Sequence, residues 1–334
     1  MQKIIILLFI NLISLNVYSN HLWDKEKSYQ PEIYSTLDSK NIIEFVKKWH
    51  EIASNEWGNY GPLEIYLVGK DMSKAKKLEN EFCKRHIKLD KEWKEKLRSE
   101  GKPVSAGWRT QWDCANKNHK IFTQYAEEGN AAVSTYLKEH LNYQFSTLIM
   151  SYKRPKPSEK DYAQVFLHEY FHVYQHAHVS DRCSDDQRKK CERNKKTTGE
   201  YEKRPWLQEG GAEFVSILLY SRTMNDKKYL IKKMRWKLKD SLKAYKKKYK
   251  MKLKDITYKK DKNIAYDMGA WFTAYLISNE GEKKFTQDFY RDLDTLGFEK
   301  SFKKNFGKSS DEYISDFNEF IIQPKNKIFK ILKL

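Results

Sequence analysis

The sequence predicts an α+β protein that is predominantly helical, with a small β-sheet preceding a long helix that carries an HExxH motif. Apolar residues recur at helical spacing through most of the 334 residues. Residues that favour strands are concentrated in two short runs, 63–68 and 144–152. The length allows one large domain or two smaller ones, so a full hydrophobic core is expected.

The N-terminus has the features of a signal peptide. Lys3 precedes an apolar run from Ile4 to Val17, and Ser19 ends a segment that resembles a cleavage site. A retained membrane anchor is the alternative, but a membrane span needs roughly 18 to 20 apolar residues and this run is shorter. We therefore expect residues 1–19 to be removed and the mature protein to be secreted or periplasmic, without a membrane span.

Two regions are expected after the signal peptide. Residues 20–140 are mostly helical by periodicity, with the clearest helices at 41–54 and 73–97. Residues 141–334 contain the motifs that carry chemistry. A polar segment at 179–205, bounded by cysteines, interrupts this second region more plausibly than it divides two domains.

The HExxH motif lies on a helix predicted at residues 158–178, with Ser158 as its N-cap. Residues four apart lie about 40° apart on one helical face, so His168 and His172 can bind one metal ion. Glu169, turned by about 100°, can reach a metal-bound water without binding the ion itself. A structural pair of histidines is the alternative interpretation.

A catalytic zinc site needs a third protein ligand, and the sequence offers two candidates. His178 follows His172 at the spacing of the metzincin motif HExxHxxGxxH, but Gln175 replaces the glycine at which that helix breaks. A continuous helix would turn His178 about 120° away from His172. The other candidate is Glu209, on a helix predicted at residues 206–221.

Glu209 belongs to the sequence WLQEGGAE, which resembles the EGxAE helix of the gluzincins. This clan contains thermolysin, the aminopeptidase N group and the clostridial collagenases. The resemblance implies a thermolysin-like catalytic domain and a zinc metallopeptidase, with Glu209 as the third zinc ligand. It also implies that Glu213 bonds the far nitrogen of a zinc-binding histidine.

The resemblance covers residues 168–271, where one feature adds to it and another departs from it. Gly210, Gly211 and Ala212 fit close packing of the Glu209 helix on the HExxH helix. The gap between the motif and Glu209 exceeds the usual gluzincin gap. A loop at 179–205 would account for the excess, and without such a loop the assignment of Glu209 as a ligand fails.

Tyr266 begins the sequence YDMGA, which is similar to the Tyr-x-x-Gly-Ala element of aminopeptidase N-like gluzincins. In those enzymes the tyrosine stabilises the oxyanion that forms during peptide hydrolysis. A core tyrosine is the alternative, because the chain contains 22 tyrosines. The Gly-x-Met-Glu-Asn element, which reads the free amino group of the substrate in aminopeptidases, is absent. The run at 144–152 lies where gluzincins place the edge strand that pairs with extended substrate. We therefore expect an endopeptidase.

Four cysteines follow the signal peptide, and an even number in an exported chain favours two disulfides. The short gap favours a bond between Cys183 and Cys191, which leaves Cys83 to pair with Cys114. A cysteine zinc site is the alternative, but no CxxC spacing supports it.

The net charge of +19 is concentrated in residues 227–262, which contain 17 Lys or Arg against 3 Asp. Apolar residues recur at helical spacing within this block, which indicates an amphipathic helix with solvated lysines. The block also offers a face to an anionic surface, whereas no specific nucleic acid is expected. The alternative to a peptidase is therefore a secreted, non-catalytic basic binding protein with a structural or vestigial metal site, acting at anionic cell surfaces.

Overall fold

The computed structural model describes most of the chain after the N-terminal segment. The described residues are 29–37, 40–101, 104, 114–129, 131–138, 143–178, 204–247, 253–257 and 261–332. The expected signal peptide at 1–19, the second cysteine pair and nearly all of the segment at 179–205 lie outside these ranges.

The described chain is mostly helical with one small sheet, which confirms the α+β class. The strands are β1 (Glu32–Ser35), β2 (Leu63–Val68), β3 (Ala131–Lys138) and β4 (Tyr143–Ser151). The helices are α1 (Lys40–Trp57), α2 (Met72–Ser99), α3 (Ile121–Glu128), α4 (Lys160–His178), α5 (Pro205–Thr223), α6 (Lys227–Lys247), α7 (Lys262–Glu280), α8 (Tyr290–Leu296), α9 (Phe298–Phe306), α10 (Ser310–Ile321) and α11 (Lys325–Ile328). Short 3₁₀ segments lie at Leu253–Asp255 and Phe329–Ile331, and a π-helical segment at Lys284–Phe289.

The sheet has four strands in the order β1-β2-β4-β3. β2 pairs in parallel with both β1 and β4, whereas β3 pairs antiparallel with β4. The expected position of β4 at the edge of the sheet is therefore wrong, because β4 lies inside the sheet and β3 forms the edge. β1 and β3 both fall in the region expected to be mostly helical, and neither strand was predicted from the sequence.

One hydrophobic core connects the sheet with the long helices. It extends from Ile42 on α1 through the inner face of β2 and β4 to Leu332 near the C-terminus. The HExxH helix α4 crosses this core, and its residues are buried over almost its whole length. α4 begins at Lys160 rather than at the predicted Ser158 N-cap, because residues 157–159 form a turn.

Two glycines allow α5 and α7 to cross almost in backbone contact. A Cβ atom added to Gly210 would lie 2.3 Å from the backbone of Gly269, and one added to Gly269 would lie 2.1 Å from the carbonyl oxygen of Trp206. Gly210 therefore serves the packing of α5 on α7, not the expected packing on the HExxH helix. Gly211 faces Phe285 more closely than it faces α4. The crossing brings the Glu209 segment and the Tyr266 segment together.

The pairing of Cys83 with Cys114 is confirmed, with their Cα atoms 5.2 Å apart. This disulfide ties α2 to the segment before α3. His119 lies beside it and contacts Glu79, but the two sulfurs are bonded to each other and offer no thiolate to a metal. Among the described helices, none is long and apolar enough to cross a membrane.

Candidate metal centre

The two histidines of the motif face the same point from one side of α4. Their Nε2 atoms lie 3.1 Å apart, and their rings meet edge to face. Both side chains are buried, with about the same small exposure. The four-residue spacing therefore produces the convergence that helical geometry predicts.

Glu209 on α5 completes a group of three residues that can hold a metal ion. Its Oε2 atom lies 3.1 Å from Nε2 of His172 and 3.5 Å from Nε2 of His168. α5 begins at Pro205, one residue before the predicted start, and Glu209 lies in its second turn. His178 is not in this group, because its Nε2 atom lies 3.1 Å from the hydroxyl of Tyr60.

The far nitrogen of each histidine has a partner of its own. Nδ1 of His168 lies 2.9 Å from Oε2 of Glu213, which is the contact that the sequence predicted for this carboxylate. Nδ1 of His172 lies 2.6 Å from Oε1 of Gln175. An imidazole that holds its proton on Nδ1 has an unprotonated Nε2, which is the form that binds a metal ion.

Gln175 holds the far side of His172, a role that was not predicted from the sequence. Its side-chain nitrogen donates to the carbonyl oxygen of Gln208 at 2.9 Å and lies 3.1 Å from the hydroxyl of Tyr290. These contacts fix the amide so that its oxygen faces His172. The three-residue spacing from His172 on one helical face was the signal that could have identified it.

A buried lysine extends the network behind His168. Nζ of Lys237 lies 2.7 Å from Oε1 of Glu213 and 3.1 Å from Oδ1 of Asp267. Burial alone would raise the pKa of Glu213, but Lys237 and His168 outweigh it and hold that pKa well below its usual range. Lys237 therefore joins α6 to the metal centre and to the residue after Tyr266.

Glu169 and Tyr266 line the cleft in front of the three converging residues. The cleft has a volume of about 400 Å³ and is also bordered by Ala131 of the edge strand. The ring of Tyr266 stacks on that of His168, with centroids 6.0 Å apart and planes 8° apart. Burial raises the pKa of the Glu169 carboxyl above its usual value. A carboxyl group and a phenol thus both reach the space beside the candidate metal.

The three converging atoms are of the kinds that bind divalent cations in proteins. Two Nε2 atoms and one carboxylate oxygen lie within 3.5 Å of one another. Tetrahedral coordination at zinc-to-nitrogen distances of about 2.0 to 2.1 Å separates ligand atoms by roughly 3.3 Å. The spacing and the chemistry of the three groups therefore fit a divalent cation such as zinc.

No protein-family model, curated protein sequence or solved structure matches the chain.

Proposed function

We propose that the chain is an exported zinc metallopeptidase that cleaves internal peptide bonds. The observation that carries this proposal is the convergence of His168, His172 and Glu209 on one point, beside a buried glutamate in an open cleft. The gluzincin resemblance of the motif and of WLQEGGAE assigns the same residues. Three protein ligands with one position left for water or substrate are typical of catalytic zinc sites.

Zinc is the best candidate metal for this group of residues. Two imidazoles and one carboxylate suit zinc, whereas magnesium and calcium prefer oxygen ligands throughout. Bound zinc supplies Lewis acidity, which makes water a usable nucleophile near neutral pH and polarises a peptide carbonyl. Glu213 and Gln175 keep both imidazoles oriented for this role from behind.

In the proposed reaction, Glu169 acts as the general base and then as the general acid. Its carboxylate takes a proton from the attacking water and later delivers it to the nitrogen of the leaving amine. Its position one residue after His168 directs it into the cleft. Burial favours its protonated form, which suits a group that must hold a proton between the two steps.

Tyr266 is proposed to stabilise the negative charge that develops on the substrate carbonyl oxygen. Its ring stacks on His168 at the wall of the cleft, so its hydroxyl can donate to an oxygen polarised beside the metal. Asp267 contacts Lys237, which anchors the start of α7 to α6 next to this tyrosine. The stacking supports a role at the site over the alternative of a core tyrosine.

The edge strand β3 supports endopeptidase action. Among the strands that the structure describes, β3 pairs with β4 alone, and Ala131 at its start borders the cleft together with Met150 of β4. An extended polypeptide can pair with such an edge through main-chain hydrogen bonds, which leaves both of its ends free. We therefore expect cuts within chains rather than removal of terminal residues.

The test is a digest of a mixed peptide library, with the cleavage sites identified by mass spectrometry. We expect internal cuts by wild-type protein that a zinc chelator abolishes and added zinc restores. Glu169→Gln should lower the rate by about 10² to 10⁴. Glu159→Gln makes the same change at an exposed position before α4 and should leave the rate unchanged. Cleavage that persists in Glu169→Gln, or the absence of chelator-sensitive cuts in wild type, would contradict the proposal.

A further inference from the structure

The exposed face of α6 carries a continuous row of positive charges. The basic stripe consists of Lys228, Lys232, Arg235, Lys239 and Lys243, all exposed on the surface. At about 100° per residue these five positions fall within an arc of about 80°, and at 1.5 Å per residue they extend along about 22 Å. The opposite face of α6 packs in the core. The stripe is therefore a narrow basic ridge on a helix that is fixed in place.

Among the side chains that the structure describes, no carboxylate forms an ion pair with a cation of the basic stripe. Elsewhere on the same helix, Lys233 pairs with Asp161 and Lys237 with Glu213. The stripe cations form no ion pair with any side chain that the structure describes, although Arg235 lies 5.8 Å from the ring of Phe329. Five like charges at one-turn intervals repel one another, so an anionic partner stabilises them.

Trp236 lies at one border of the basic stripe, about 20° beyond Lys243 on the helical wheel. Its side chain is 63% exposed, the largest exposure among the large apolar residues that the structure describes. It also lines a cavity of about 520 Å³ that includes Tyr266, which borders the cleft of the metal centre as well. An indole in water next to a row of cations is a combination found where proteins contact lipid headgroups.

We propose that the basic stripe and Trp236 form a docking site for the surface of an anionic lipid bilayer. The lysines and the arginine would contact the headgroups along α6, and the indole would enter the boundary between headgroups and acyl chains. A soluble polyanion would satisfy the cations but would offer the indole no apolar environment. This docking would hold the cleft beside the membrane, and it does not depend on the metal site.

The first test is sedimentation with vesicles of phosphatidylcholine, alone or mixed with phosphatidylglycerol. We expect binding to the mixed vesicles that weakens as salt is added. Lys232→Gln combined with Lys239→Gln should weaken it about 25-fold, at about fivefold per cation. Lys77→Gln combined with Lys84→Gln on α2 is the matched control, because these exposed lysines have the same seven-residue spacing. The control should bind within about twofold of wild type.

The second test uses Trp236 itself. Trp236→Ala should weaken binding about tenfold, since an exposed alanine cannot supply the apolar contact. Trp236→Phe should bind vesicles nearly as wild type does, but without the blue shift in tryptophan emission that wild type shows. Equal losses in the α2 control, or the absence of binding to mixed vesicles, would overturn the proposal. Tighter binding to heparin or single-stranded DNA than to the vesicles would overturn it as well.

Discussion

Replacing Lys237 with methionine should destabilise the protein by about 3 kcal/mol. The side chain of Lys237 is 6% exposed and lies between Glu213, which is 14% exposed, and Asp267, which is 27% exposed. Removing one partner of a buried ion pair costs about 3 to 5 kcal/mol, because the other charge stays buried and unpaired. We expect the lower end of that range, since Glu213 keeps its contact with His168 and Asp267 can reach water.

The measurement is urea unfolding of wild type and Lys237→Met, each with and without a zinc chelator. Lys233→Met on the same helix is the matched control, because its partner Asp161 is 44% exposed and the change should be about 0 to 1 kcal/mol. Zinc affinity should also fall about tenfold in Lys237→Met, since Glu213 loses the contact that orients it. A loss in Lys237→Met no larger than that in Lys233→Met, in chelated protein, would refute the reasoning.

Three further predictions concern a helix crossing, a buried histidine and the amide behind His172. Gly269→Ala should lower the free energy of unfolding by about 3 kcal/mol or more, because the new Cβ would lie 2.1 Å from the carbonyl oxygen of Trp206. Thermal unfolding measures this loss, and an unchanged Tm would contradict the prediction. Burial lowers the pKa of His50 to about 4. As the pH falls from 6.5 to about 4, only the unfolded chain takes up the proton, so the free energy of unfolding should fall by about 1.4 kcal/mol per pH unit. His50→Gln should flatten this slope in unfolding measured across the same pH range. Gln175→Ala should weaken zinc binding about 10- to 100-fold in competition with a coloured chelator, because His172 loses its hydrogen-bond partner; unchanged affinity would exclude a positioning role.

The long helices could be predicted from the sequence because their periodicity is strong. β2 was also predicted with the observed bounds, since Pro62 and Gly69 border a run of strand-forming residues. β3 was missed although Val133, Thr135 and Tyr136 favour strands, because its flanking alanine, leucine and lysine residues also suit a helix and its position depends on pairing with β4. The edge of the sheet was therefore assigned to the wrong strand.

In the candidate site too, the residues set by local helical spacing could be predicted, whereas those set by packing between helices could not. The HExxH spacing places its two histidines by helical geometry alone, and the motif around Glu209 identifies a candidate for the third ligand. The crossing of α5 and α7 at Gly269 could not be predicted, because a glycine in sequence does not reveal which helix it meets. Lys237 could not be distinguished in the sequence from the exposed lysines of the same helix, because only tertiary packing buries it.

The central claim is that His168, His172 and Glu209 hold one zinc ion. Elemental analysis of the purified protein tests it most directly, with Glu209→Ala and His178→Ala as a matched pair of variants. We expect about one zinc per chain in wild type and in His178→Ala, and none in Glu209→Ala. Zinc that remains without Glu209, or its absence from wild-type protein supplied with zinc, would contradict the account.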